Sequence, residues 1–264
     1  MMSDFNYLKT NLNNATMEIS INRPEVYNAL NGDAKMELVQ AIRMAGRDEQ
    51  VKTIILTAEG RAFCSGQDLN DRSVQGIGSE RVDLGHTLET EWNPLINSIK
   101  NSKKLVIGAI NGVSAGAGLS IALACDIIVA RPGAKFISGF SGLGLAPDAG
   151  ASFTFVKAMG YQRTLEFFLF NQPLTSENLM EVGMINKVEV DFLGVAREMA
   201  QKINKMAPLS LELIKKNLQA AQEMGFKESM DNETVTQRFL GASDDYQEGL
   251  KSFFDKRSPE FKGS

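Results

Sequence analysis

Two glycine-rich turns, about fifty residues apart, could do chemistry through their backbones: Arg61-Ala62-Phe63-Cys64-Ser65-Gly66-Gln67-Asp68-Leu69 and Gly112-Val113-Ser114-Ala115-Gly116-Ala117-Gly118-Leu119. Each follows a short apolar run, Thr53 to Thr57 or Leu105 to Ile110, that reads as a buried strand delivering the chain to a turn. The second turn runs into the apolar stretch Leu119 to Ala124, which reads as a helix. Its free N–H groups and the positive end of its dipole would face an incoming anion. Such a pair of turns can aim two N–H groups at one point and hold a carbonyl oxygen as it becomes an enolate. The plain alternative is structural, because glycine suits tight turns and close packing throughout α/β proteins.

Enolate chemistry also needs a proton carrier. Asp148 stands in Gly142-Leu143-Gly144-Leu145-Ala146-Pro147-Asp148-Ala149-Gly150-Ala151-Ser152, where Pro147 and Gly150 equally favour a turn aspartate bonding its own backbone. Apolar surroundings of Phe140, Leu143 and Leu145 would suit a carboxylate that takes and returns a proton near neutral pH. Glu89 and Glu91 are further acids, read here as solvated helix charges. The sole histidine, His86, reads as a surface or helix-end residue, Trp92 as pocket wall or core, and the twelve methionines as gap fillers. Cys64 and Cys125 are too few and too embedded for a disulfide framework or metal site and read as packing residues.

Short strands and helices alternate to position these groups. Met17 to Ile21 reads as a strand, and Asp33 is expected to cap a helix with Met36, Val39 and Ile42 at helical spacing. A helix over 80–101 follows the strand at Thr53 to Thr57, and strands near Ile127 to Ala130 and Lys135 to Ser138 follow the second turn. This alternation predicts an α/β fold with largely parallel strands. After Asp191 the strand signals stop: Val195 to Met206, Leu209 to Met224, Lys227 to Gly241 and Asp244 to Lys256 read as helices. The expected division is a core with the site over 1–191 and a helical region over 192–264.

The 264 residues, 43% hydrophobic and 23% charged, are ordinary values for a globular chain able to bury a substantial core. A net charge of −4 offers no basic footprint, which argues against nucleic acid as a partner. The start Met1-Met2-Ser3-Asp4-Phe5 lacks the pattern of a signal peptide, and no stretch reads as a membrane span, so a cytoplasmic protein is expected.

Asn22-Arg23-Pro24-Glu25-Val26-Tyr27-Asn28-Ala29-Leu30-Asn31, the two turns, Cys125-Asp126-Ile127-Ile128-Val129-Ala130 and the tail from Glu248 to Phe261 together resemble the crotonase (enoyl-CoA hydratase/isomerase) superfamily. The resemblance is ordered and spans about residues 16 to 262. It implies a spiral of repeated ββα units with C-terminal helices packed against neighbouring subunits, in a homotrimer or a dimer of trimers. It also implies an acyl-CoA thioester substrate, with CoA part of that substrate and no metal, flavin or nicotinamide required.

Matching Phe-x-x-Gly-x-Asp puts one oxyanion donor at the N–H of Gln67, and matching Ala-Gly-Ala-Gly puts the other at Ala117, where the family often has glycine. Ala62, Ser65 and Gln67 are then expected to border the adenine and pantetheine arm. Gly66, Asp68, Leu69, Gly116, Phe140 and Leu143 complete the expected CoA and acyl contacts, with Lys256 reaching a phosphate across a subunit contact. Pocket walls are expected from residues 70–100 and 135–160.

Hydratases of the superfamily carry two glutamates at places that Ser120 and Phe140 occupy here. Adding water across a double bond needs a pair of groups to deprotonate water and protonate carbon, so ordinary two-glutamate hydration is disfavoured. The stretch around Asp148 resembles the 1,2-epoxyphenylacetyl-CoA isomerase branch and dienoyl-CoA isomerases, whose corresponding aspartate faces the reactive carbons. It also matches the nucleophilic aspartate of chlorobenzoyl-CoA dehalogenases, but those place Trp where Phe140 stands and need a histidine to activate water. The expected activity is therefore acyl-CoA isomerisation, of a double bond or of a ring-oxidised phenylacetyl-CoA, with Asp148 as proton shuttle. The alternatives are an enoyl-CoA hydratase of fatty-acid or aromatic degradation, and a non-catalytic CoA- or RNA-binding relative.

Overall fold

Three consecutive stretches of the chain each lay down one long strand, one short strand and then a helix. A computed structural model describes residues 5–71 and 83–264, so residues 80–82 of the expected helix and 72–82 of the expected pocket wall lie outside the described residues. The strands are β1 (Leu8–Asn13), β2 (Thr16–Ile21), β3 (Thr53–Ala58), β4 (Ala62–Cys64), β5 (Leu105–Ile110), β6 (Val113–Ala115), β7 (Ile127–Ala130), β8 (Lys135–Ile137), β9 (Leu174–Thr175) and β10 (Lys187–Val188).

The long strands and the two-residue β10 form a six-stranded sheet in the order β1-β2-β3-β5-β7-β10, and the other short ones a four-stranded sheet in the order β4-β6-β8-β9. All pairs are parallel except β1 with β2 and β8 with β9. This is the expected spiral of ββα units.

β3 is buried at every position, as a central parallel strand covered on both faces should be. Ile54 and Leu56 join the main core with Leu38, Ile42, Leu95 and Ile99, while Ile55 turns the other way. There it meets Ile107, Val129, Ala196, Ala200 and Ile203. The helix Phe192–Ile203 thus covers the sheet of its own chain.

Local chemistry sets the helix ends. The first helix runs Gly32–Arg47, and its cap is Asn31 rather than the expected Asp33: the Asn31 side chain accepts from the Ala34 N–H at 2.9 Å. Asp33 lies in the first turn, where the dipole favours its charge. The expected single helix over 80–101 is a composite of Leu84–Thr87, a π-helical segment Leu88–Trp92, and Asn93–Lys100. Pro94 supplies no N–H and crowds the preceding turn, and the Asn93 N–H reaches back to the Leu88 carbonyl instead.

Beyond β10 come Phe192–Ile203, Pro208–Ala221, Phe226–Gly241 and Asp244–Asp255, close to the expected helices. A buried ion pair ties the second of these to the core. Lys215 Nζ donates to Asp126 Oδ2 at 2.8 Å and to the Ile99 carbonyl at 3.1 Å. Burial pushes the Asp126 carboxyl up and the Lys215 ammonium down from their ordinary values. The outer helices leave large apolar side chains in solvent, Phe226 at 81% and Phe254 at 76% exposure among them.

Candidate active site

Glycine brings the two turns into backbone contact. A Cβ on Gly112 would lie 2.1 Å from the Arg61 carbonyl oxygen, and one on Gly118 would lie 2.1 Å from that of Cys64. No other residue fits at either position. Gly66, at φ +94°, would put a Cβ 3.3 Å from the Ala117 nitrogen, so the Gly66-Gln67 turn runs beside the start of the helix Ala117–Ala124. That helix is apolar and buried all round, as its position between layers requires. Gly116, at φ 53° and ψ −128°, takes the strained step into it, which leaves Ala117 as the first helical residue. An alanine is tolerated there because only the glycine before it carries the unusual dihedrals.

The segment after β2 braces the first turn. Leu30 donates to the Gly66 carbonyl at 2.8 Å and accepts from the Asp68 N–H at 3.0 Å. Asp68, expected among the substrate contacts, turns its carboxylate to Arg23 at 3.0 Å and to the Asn70 N–H at 3.1 Å. Asn28 and Asn111 donate to the Ala62 carbonyl at 2.7 and 3.1 Å. Ser65 donates its N–H to the Tyr27 carbonyl at 3.1 Å, and Leu69 is exposed.

Sequence reasoning missed Lys35. Its side chain is buried in the first turn of the Gly32–Arg47 helix and paired with Glu91. Nζ also donates to Gln67 Oε1 at 2.9 Å and lies 4.8 Å from the centre of the Trp92 ring. Trp92 is core, and its indole N–H donates to the same Gln67 oxygen at 3.3 Å. Glu91 is therefore an ion-pair partner rather than the solvated charge expected, whereas Glu89 and His86 are exposed as expected.

The second half of the candidate site is the turn after β8. The Asp148 carbonyl accepts from Ser120 Oγ at 3.2 Å and from the Ala151 N–H at 2.9 Å. Ala149 and Gly150 adopt positive φ of 50° and 84°, which completes the turn before the helix Ala151–Met159. Asp148 is half-buried, with Oδ1 out of solvent. Phe140 is buried, its ring 6.2 Å from that of Phe168. Leu143 and Leu145, expected to give Asp148 apolar surroundings, are exposed in the single chain, Leu143 at 63%.

Alongside this turn lies a cavity of about 650 Å³, lined by Ser120, Ala149, Gly150, Phe153, Ile96 and Lys157 among others. Neither Gln67, Ala117 nor Asp148 lines it. Lys256 sits exposed at the end of the helix Asp244–Asp255. Burial pushes the Cys64 and Cys125 thiols up to about 12, which suits packing residues. Among the described residues no helix is long and apolar enough to cross a membrane.

Spiral, paired turns and braced acid turn define the class: the chain belongs to the enoyl-CoA hydratase/isomerase family, whose sequence profile matches residues 11–264. An acyl-CoA thioester is the substrate class that fits this family. The chain is 36% identical to 1,2-epoxyphenylacetyl-CoA isomerase of Escherichia coli K12, over 97% of this chain and 98% of the relative. It is likewise 36% identical to a probable enoyl-CoA hydratase of Rhodobacter capsulatus, over 93% of each. A crystal structure of an enoyl-CoA hydratase subunit from Geobacillus kaustophilus is similar throughout, with a TM-score of 0.90 at 30% identity over 99% of this chain and 100% of that one.

Proposed function

We propose that this protein is an acyl-CoA isomerase working through a thioester enolate. The observation that carries the reading is the Ser120 to Asp148 hydrogen bond at 3.2 Å. It puts a hydroxyl where hydratases of the superfamily keep a glutamate, and uses it to hold a different acid-bearing turn. In this reading the N–H groups of Gln67 and Ala117 hold the thioester oxygen. Asp148 takes a proton from one carbon of the acyl chain and returns it to another two bonds away. Atoms balance without water, and the reaction calls on no metal, flavin or nicotinamide. One carboxylate suffices for such a transfer when the enolate is held in place.

The similarity to an epoxyphenylacetyl-CoA isomerase supports a ring-oxidised phenylacetyl-CoA as one candidate substrate, beside an enoyl-CoA whose double bond moves. The exposed apolar side chains of the outer helices support a homotrimer or a dimer of trimers, in which Lys256 reaches the CoA phosphates of a neighbouring subunit. Incubation with 3-enoyl-CoA, 2-enoyl-CoA and ring-oxidised phenylacetyl-CoA tests the function. Isomerisation shifts absorbance at constant mass; a product heavier by one water would make the protein a hydratase, and no product with any of them a non-catalytic relative.

A further inference from the structure

Lys35 stands where a lysine is least expected. Its side chain is 1% exposed, and it lies at the positive end of its helix, where the dipole disfavours a cation. A buried ammonium is tolerated only with an anion and hydrogen-bond acceptors around it. Glu91 supplies the anion, Gln67 Oε1 the acceptor at 2.9 Å, and the Trp92 ring covers a further side at 4.8 Å. Two neighbouring residues, Glu91 and Trp92, reach the same ammonium from the π-helical segment Leu88–Trp92. Single π turns of this kind recur at functional sites.

What the cluster holds is one carboxamide. The Gln67 oxygen accepts from Lys35 at 2.9 Å and from the Trp92 indole at 3.3 Å, and Nε2 donates to the Asp68 carbonyl at 3.2 Å. Stability alone gives little reason for it, because apolar residues of similar volume often replace a buried ion pair without loss. The residue before it, Gly66, runs against the helix start: a Cβ there would lie 3.3 Å from the Ala117 nitrogen.

We propose that Lys35, anchored by Glu91 and Trp92, is a positioning residue for the reaction. It clamps the Gln67 side chain and thereby sets the Gln67 N–H against the thioester oxygen as negative charge builds there. The inference rests on the reading of Gln67 and Ala117 as the oxyanion donors. A donor displaced by about 1 Å can lose on the order of 100-fold in rate, and the loss falls on the transition state rather than on binding of the distant CoA moiety.

The test is Lys35→Met, which keeps an unbranched side chain one atom shorter and removes its charge and donors. Expected is a fall in kcat on the order of 10- to 100-fold, with KM for the acyl-CoA thioester within about threefold. Trp92 is the only tryptophan, so its fluorescence reports on the cluster directly. Acyl-CoA binding should change the emission of the unaltered protein and leave that of Lys35→Met nearly constant. The double variant Lys35→Met with Glu91→Leu should recover any stability the single change loses, and its kcat should stay low. A wild-type kcat in a folded Lys35→Met protein would overturn the proposal, as would recovery of kcat together with stability in the double variant. Asp148→Asn run alongside separates the two claims. If it is inactive while Lys35→Met turns over normally, only the clamp fails; if Asp148→Asn turns over normally, the proton-shuttle reading fails independently.

Discussion

The hydroxyl of Ser120 donates to the main-chain oxygen of Asp148 across 3.2 Å, from the first turn of a buried helix to the turn that carries the acid. The bond holds the main chain of Asp148 and does not itself engage the carboxyl group. A glutamate at 120 could not make it in ionised form, because a carboxylate has no proton to donate. In the proposed reading, the serine at this place supports the Asp148 turn rather than itself supplying an acid.

Asp148→Asn keeps the side-chain shape and removes its ability to take a proton. Turnover should fall on the order of 100- to 10000-fold, and exchange of the substrate's α or γ protons with deuterated water should fall with it. Acyl-CoA should bind about as well as before, by calorimetry. Normal turnover in Asp148→Asn combined with inactivity of Glu89→Gln would move the base to the segment before Pro94.

Gln67 has two separable parts, its N–H and its carboxamide. Gln67→Pro deletes both, and loss of one oxyanion donor typically costs about 2.7–4 kcal/mol of barrier, or roughly 100- to 1000-fold in kcat. Gln67→Ala keeps the N–H and loses the clamp, so its loss should match that of Lys35→Met. Near-normal turnover by a folded Gln67→Pro protein would show that this N–H does not hold the enolate.

Assembly is best tested with the outer helices, because Phe192–Ile203 covers the sheet of its own chain and its removal would unfold the core. Phe226 and Phe254 are 81% and 76% exposed. If they lie in subunit contacts, Phe226→Asp with Phe254→Asp should convert a trimer or hexamer to monomers in sedimentation while circular dichroism stays unchanged. A full-length protein that sediments as a monomer before any change would end this reading.

The C-terminal tail should loosen in acid. Hydrogen bonds from Arg257, and then from the Glu260 N–H, hold the Glu248 carboxyl at about 2, below its ordinary 4.5. A carboxyl lowered by folding stabilises the folded tail above the unfolded value and ceases to do so as pH falls through the folded one. The tether is thus intact above about pH 4.5 and lost toward pH 2. Carboxyl-carbon NMR should give a Glu248 midpoint near 2, and Arg257→Ala should move it up toward 4.5.

Much of the fold was legible because it rests on local signals. The parallel strands announce themselves as apolar runs, and the two turns as glycines that a strand cannot otherwise spare. Where signals were short or ambiguous, the reading failed: two residues are too few for β9 or β10 to show a period, and the competition between Asn31 and Asp33 for the helix cap depended on which residue the backbone leaves extended. Asp148 and both turns could be picked out by type and order.

Lys35 could not, since on an amphipathic helix a lysine looks like any solvated charge. What buries it arrives from Gln67, 32 residues on, and Glu91, 56 residues on. Ion pairing and burial depend on distance in space and on the exclusion of water, neither of which leaves a periodic trace along the chain. The sequence by itself determined the long parallel strands, the glycine turns and the candidate acid; only the tertiary structure decided which charges the first turn would lean on.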